Sequence, residues 1–282
     1  MAKHNHTQGN FSADDGTRLY RQSWQPEGTA RAVMVIAHGF GEHSGRYASL
    51  IHPLLDAGVA VHALDHRGHG ESPGARGHIG HWRAFRHDLD AFVRLVAGEH
   101  DSKDGLFLYG HSMGGLMVLD YALDAPAPPL RGVIASAPFL YPEVIPAVQR
   151  GVGRLMSLIA PGFSQAAALD TRTLSRDPAV IKAYEADPLV HGTISARLAA
   201  QMFGTAKRTR AAGADFAYPL LIVHGEADRL VPARGSAMFF NGVKHPDRQR
   251  LTWPECRHEP HNDLDRDEVV TTIRDWILAR SC

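Results

Sequence analysis

The sequence predicts an α/β fold: a mostly parallel central sheet flanked by helices, interrupted by an inserted helical cap. Three observations carry that expectation. Short apolar runs without polar alternation recur along the 282 residues, segments with helical apolar spacing lie between them, and this alternation stops between about residues 139 and 203. A run that is apolar at every position fits a strand buried on both faces, as in a parallel sheet.

Val33-Met34-Val35-Ile36-Ala37 is the first such run and ends in His38-Gly39-Phe40-Gly41. Val59 to Leu64 is the next, followed by Leu106 to Tyr109, Val133-Ile134-Ala135 and Leu220 to Val223. Leu251-Thr252-Trp253 reads as the last strand. Between the runs, Trp82, Phe85, Leu89, Phe92, Val93 and Val96 recur three and four residues apart, which gives a helix one apolar face. Val269, Val270, Ile273, Trp276 and Ile277 repeat the pattern near the C-terminus. From 139 to 203 the chain holds apolar helical pieces broken by Pro142, Pro146, Pro161, Pro178 and Pro188. Such an insertion after a strand suits a cap over the carboxyl ends of the sheet. The expected division is therefore 1–138 and 204–282 for the core and 139–203 for the cap. The cap's surplus of Leu, Ile, Met and Phe suggests an apolar tunnel or a lipid-facing surface.

Within this frame, Leu106-Phe107-Leu108-Tyr109 runs directly into Gly110-His111-Ser112-Met113-Gly114, and a second apolar run, Leu116 to Leu123, follows. Strand, sharp turn and helix in that order form a nucleophile elbow, which lifts a serine hydroxyl above the sheet. With 27 Gly in the chain, Gly-x-Ser-x-Gly arises by chance in roughly one such sequence in eight, so context must decide. Gly70-Glu71-Ser72-Pro73-Gly74 is a decoy: no strand precedes it, and Pro73 has no N–H to give an oxyanion. Met113 has one. The plain alternative for Ser112 is a helix N-cap.

In a fold of this kind the acid and the base follow the serine in that order. Leu220 to Val223 leads into His224-Gly225-Glu226-Ala227-Asp228, which places Asp228 in the loop past a late strand, with Glu226 as the alternate acid. Cys256-Arg257-His258-Glu259-Pro260-His261 follows the last strand, so His258 is the expected base and His261 the alternate. A serine hydroxyl is a poor nucleophile until a neutral imidazole takes its proton. The carboxylate then orients the ring and stabilises the imidazolium. Two backbone N–H groups, at Met113 and at Phe40 in the loop after the first long strand, would hold the oxyanion. This chemistry needs no metal or organic cofactor. A non-catalytic binding protein on the same scaffold would normally have lost one of these five positions, and all are filled.

Lys plus Arg and Asp plus Glu are 30 each, and no basic run stands out, which argues against a nucleic-acid partner. The polar start, Met1 to Asp15, lacks the apolar core of a signal peptide, and no run approaches the length of an integral membrane segment. Two cysteines, Cys256 and Cys282, make no disulfide framework, consistent with a cytoplasmic chain. His62-Ala63-Leu64-Asp65-His66 superficially resembles a metal site but reads as loop and surface histidines, without a second cluster.

Further stretches join these motifs: His38-Gly39-Phe40-Gly41-Glu42-His43-Ser44-Gly45-Arg46-Tyr47, Asp65-His66-Arg67-Gly68-His69-Gly70-Glu71-Ser72, Asp187-Pro188-Leu189 and the run from His224 to Pro232. With Gly110 to Gly115 and His258-Glu259, the chain resembles the monoacylglycerol lipase and lysophospholipase branch of the α/β-hydrolases. The resemblance implies Ser112, Asp228 and His258 as the catalytic triad, Phe40 and Met113 as oxyanion donors, and a lipid ester as substrate. It also implies a cap over an acyl channel, with transient contact between the cap and a membrane or lipid surface. Glu42, Arg46 and His111, which flank the oxyanion loop and the nucleophile, are candidates to line the headgroup end of the channel. Their alternative is an internal ion pair and a packed elbow histidine. Phe40 departs from the small residue often found at its place in the family, which keeps the backbone donor but would narrow the pocket.

Overall fold

The computed structural model describes residues 5–100, 105–124, 130–167 and 169–281. The apolar runs become β3 (Ala32–Ala37), β4 (Val59–Leu64), β5 (Leu106–His111), β6 (Leu130–Ser136) and β9 (Leu220–Gly225), and β10 (Arg248–Trp253) closes the series. Two strands precede them, β1 (Asn5–Ser12) and β2 (Arg18–Gln25). All eight form one sheet in the order β1-β2-β4-β3-β5-β6-β9-β10. The pairs from β4 through β10 are parallel, whereas β1–β2 and β2–β4 are antiparallel.

β3 shows why the central runs do not alternate. Val33, Val35 and Ala37 face a layer that includes α2 (Trp82–Glu99) and α3 (Met113–Leu123). Ala32, Met34 and Ile36 face the opposite layer, built on α1 (Ala48–Asp56) and α8 (Arg266–Leu278). Both faces are dry, so both need apolar side chains. This is the α/β-hydrolase architecture expected from the sequence.

The β1–β2 hairpin was not legible as strand. Only Phe11 of β1 is buried, so the segment lacks the apolar density that marks the other strands. As an edge it faces water almost throughout, and polar residues suffice there.

After β6 the chain leaves the sheet and returns to it at β9. Between them lie α4 (Ala147–Ile159), β7 (Ser164–Ala166), α5 (Pro178–Ala186), β8 (Thr193–Ser195) and α6 (Ala196–Ala211). β7 and β8 pair into a small antiparallel sheet. Residue 203, the expected end of the insertion, lies inside α6. That helix packs Leu198 and Met202 into the core layer of α2 and α3. Among the described residues no helix is long and apolar enough to cross a membrane. Cys256 is buried and free, and Cys282 lies outside the described residues.

Candidate active site

Ser112 sits between β5 and α3 with φ 55° and ψ −113°, a conformation that side chains other than glycine rarely adopt. The elbow is held shut by close backbone packing. A Cβ on Gly110 would strike the carbonyl of Gly114, and one on Gly114 would strike the carbonyls of Ala37 and His38. The Ser112 backbone is also pinned: its N–H donates to Ser136 O at 2.9 Å, and its carbonyl accepts from Leu116 and Phe139, each at 3.0 Å. Such a position costs about 1–3 kcal/mol, which the packing around it must offset. The serine makes no N-cap hydrogen bond. Its Oγ instead lies 3.0 Å from His258 Nε2.

The line continues. His258 Nδ1 donates to Asp228 Oδ2 at 2.7 Å, which leaves Nε2 of the neutral ring free to accept from the serine hydroxyl. Asp228 Oδ1 accepts the backbone N–H groups of Leu230 and Val231, both at 2.9 Å. Burial alone would raise the Asp228 pKa, but the His258 charge and hydrogen bonds from His224 and His258 hold it well below the usual carboxylate range. Burial likewise opposes protonation of His258, but the Asp228 carboxylate and its hydrogen bond, with Glu259 and Glu42 adding to them, together raise the imidazole pKa. The three residues come from loops after β5, β9 and β10, neighbouring strands save for β6, at the carboxyl edge of the sheet.

Phe40 follows β3, in the loop packed against the elbow. Among the described residues neither the Phe40 nor the Met113 amide donates to another backbone group. Met113 opens α3, where an amide has no acceptor within its own helix. The Phe40 ring stands edge-on to His69 and His191, at 5.8 and 5.7 Å.

Glu42 is buried and shares its carboxylate among three donors. Oε1 accepts from Gly39 N–H and from Tyr47 Oη, each at 2.7 Å, and Oε2 accepts from Arg46 at 2.7 Å. Arg46 also grips Glu259 through two bonds of 2.9 and 3.0 Å and stacks on the Tyr184 ring of α5 at 4.6 Å. Two carboxylates thus share one guanidinium away from water. Burial raises the Glu42 pKa, and Glu259 adds to the rise; Glu259 holds the bidentate contact and is lowered by Arg46. His111 is also buried, packed 4.8 Å from the His258 ring and 5.0 Å from that of His261. Desolvation pushes its pKa well down and keeps it neutral. Glu42, Arg46 and Glu259 thus form a buried ion cluster, and His111 packs against the base.

The other candidates are accounted for in the same way. Ser72 donates its hydroxyl to Asp65 O at 2.6 Å and accepts from Tyr20 N–H at 2.9 Å, so it ties a loop to β2. Glu226 accepts from Thr252 Oγ1 on the surface. His261 is buried, stacked on Tyr47 at 4.8 Å, with its pKa lowered to about 4 by desolvation. His62 and His66 correct the surface reading: both are buried, and desolvation lowers them to about 3 and about 4.

A family model described as serine aminopeptidase S33 matches residues 28–265. The chain belongs to that family. Monoacylglycerol lipase of Mycolicibacterium smegmatis is 33% identical to it over 280 residues, 99% of each chain. The crystal structure of the Paleococcus ferrophilus monoacylglycerol lipase matches with a TM-score of 0.85 and 35% identity, over 93% of this chain and 99% of that one. Phospholipase YtpA of Bacillus subtilis is 30% identical over 247 residues, 86% of this chain and 93% of its own. The protein is a carboxylic ester hydrolase.

Two features of this hydrolase escaped sequence reasoning. His224, at the end of β9, is fully buried; its Nε2 lies 2.8 Å from Val231 O and 3.3 Å from Asp228 Oδ2. Both neighbours accept, so Nε2 carries the proton and braces Asp228 at Oδ2, the same oxygen that accepts from His258. The spacing His-x-x-x-Asp after a strand was the available signal. The second feature joins the His258 loop to residues 172–176. His258 N–H donates to Thr173 O at 3.3 Å, Glu259 N–H to Leu174 O at 2.8 Å, and Arg257 to Ser175 O at 2.9 Å. The buried Asp263 carboxylate accepts from the amides of Arg257 and Arg176, at 2.6 and 2.8 Å. The loop that carries the histidine is thereby braced by the inserted segment.

Proposed function

We propose that the protein hydrolyses the ester of single-chain lipids, monoacylglycerols foremost, through an acyl-enzyme on Ser112. The unbroken line from Ser112 Oγ through His258 to Asp228 supports this most directly. In this reading His258 takes the serine proton as Oγ attacks the acyl carbon, and the Phe40 and Met113 amides bind the oxyanion. His258 then returns the proton to the leaving alcohol, and water repeats the sequence on the acyl-enzyme. Glu42 and Arg46 act as positioning residues, since Glu42 holds the Gly39 amide beside the donor at Phe40. His111 is a packed wall behind the base.

The substrate class rests on the likeness to monoacylglycerol lipases over nearly the whole chain. Peptide release from an N-terminus is less well supported. An aminopeptidase needs an uncommitted acid to hold the substrate ammonium, and the buried Glu42 and Glu259 are both committed to Arg46. The segment 139–203 is read as a cap, and its helix α4 exposes Val148, Val152, Leu155 and Ile159 at 55–78% of their surface. These positions fall on one helix face, which suits transient contact with a lipid surface. A hydrolysis panel under one condition tests the assignment. Monoacylglycerol should be cleaved with the highest kcat/KM, above diacyl- and triacylglycerols, lysophospholipids and short p-nitrophenyl esters. A lysophospholipid preferred over monoacylglycerol would move the assignment to the phospholipase side.

The pH profile follows from the base. His258 must be neutral to accept a proton, and its pKa is raised by Asp228, so activity is absent at low pH and appears as pH rises. The limb of kcat/KM should have an apparent pKa above the ordinary imidazole value. A profile flat from about pH 5 to 9 would remove His258 from the reaction.

A further inference from the structure

α4 carries two chemically different faces side by side. Next to the exposed stripe of Val148, Val152, Leu155 and Ile159, Arg150, Arg154 and Ser157 turn into a groove of about 920 Å³ formed with the start of α2 and with α6. The groove contains none of Ser112, Asp228 and His258. Its walls bring together Arg83, Arg86, Arg150, Arg154, Lys207 and Arg208, against only Asp124 and Glu143. Both acids are already engaged: Asp124 pairs with Arg86 at 2.5 Å, and Glu143 with Arg210 at 2.7 Å. Arg83, Arg154 and Lys207 are exposed and have no acidic partner among the described residues. The positive end of the α2 dipole adds to the same field.

Like charges gathered in one concavity repel each other, and an anion placed among them removes that repulsion. Several cations around one concavity match a phosphate group, whose oxygens accept from more than one of them. Leu158 decides where that phosphate comes from. It lines the groove and is also 69% exposed beside the apolar stripe, so charge and grease adjoin without a polar gap. A bilayer surface presents the same pair, with phosphates at the headgroup level and acyl chains just below.

We infer that the groove between α2, α4 and α6 binds the phosphate of an anionic phospholipid headgroup, so that α4 lies on anionic lipid surfaces. The inference rests on the reading of the 139–203 segment as a lipid-contacting cap, and adds a lipid-charge selectivity to it.

Co-sedimentation with vesicles of phosphatidylcholine alone, or containing phosphatidylglycerol, separates the two claims. The wild-type protein should partition at least about tenfold better onto the anionic vesicles, and the advantage should vanish as salt rises. The triple variant Arg83→Gln, Arg154→Gln, Lys207→Gln should lose the advantage. It should keep its binding to neutral vesicles and its hydrolysis of a soluble short ester. Val152→Ser with Leu155→Ser should weaken binding to both vesicle types, which tests the cap contact itself. Equal wild-type binding to both vesicle types, or an anionic advantage that survives in the triple variant, would overturn the headgroup site and leave the cap contact standing. Tight binding of inorganic pyrophosphate in the groove without any vesicle preference would mark a soluble phosphate ligand and overturn the lipid assignment.

Discussion

Replacing Ser112 with alanine should lower ester turnover by about 10⁴- to 10⁶-fold and leave the thermal unfolding midpoint nearly unchanged. The size of the loss follows from the division of labour. In the proposed mechanism, a chain without the hydroxyl forms no acyl-enzyme, and His258 has no proton to take. The two amides proposed to hold the oxyanion would still favour the tetrahedral state, so a small residual rate over water is expected. Folding should hardly notice. The serine side chain makes no cap bond, and the elbow is closed by glycine packing and backbone hydrogen bonds that alanine leaves in place. Steady-state kinetics and a melting curve on the same preparation read both halves. Turnover that persists in a folded variant would place the nucleophile elsewhere.

Replacing Arg46 with methionine should act mainly on stability. The side chain has 9% of its surface exposed and neutralises two carboxylates that are themselves almost fully buried. Removing one partner of a buried ion pair leaves uncompensated charge and typically costs about 3–5 kcal/mol. For a chain of this size that corresponds to a fall of roughly 10 °C in the midpoint. Activity should fall as well, because Glu42 would lose its counter-ion while still holding the Gly39 amide next to the oxyanion loop. Arg46→Lys restores the charge but not the two-pronged contact with Glu259, so it should recover only part of the stability. Calorimetry that finds Arg46→Met as stable as the wild type would contradict the role given to this cluster.

The central strands were legible because burial on both faces demands apolar residues at every position, which few other structures require. The elbow was legible for a related reason: Gly110 and Gly114 stand where backbone meets backbone, and no larger residue would fit. Pro73 identified Ser72 as a decoy through its missing N–H, and the structure adds that the Ser72 hydroxyl ties the Asp65 loop to β2.

Histidines were harder to read. His66 and His224 look like loop or surface residues by composition, yet both are fully buried and held by backbone groups: His38 O for the His66 ring, Val231 O for His224. One ring nitrogen bonded to a carbonyl is enough to seat such an imidazole inside the protein, a requirement that hydropathy does not register. The apolar face of α4 posed the reverse difficulty. Its spacing is that of any amphipathic helix, and periodicity does not tell whether a face is covered by protein or turned outward. Glu42 and Arg46 posed a third, because an acid and a base four residues apart look the same in sequence whether they greet a substrate or each other.

Labelling with a serine-reactive phosphonate tests the central claim most directly. The mass increase should correspond to one adduct, peptide mapping should place it on Ser112, and ester hydrolysis should disappear in proportion to its formation. An adduct on Ser72, or complete inactivation with Ser112 unmodified, would contradict the account.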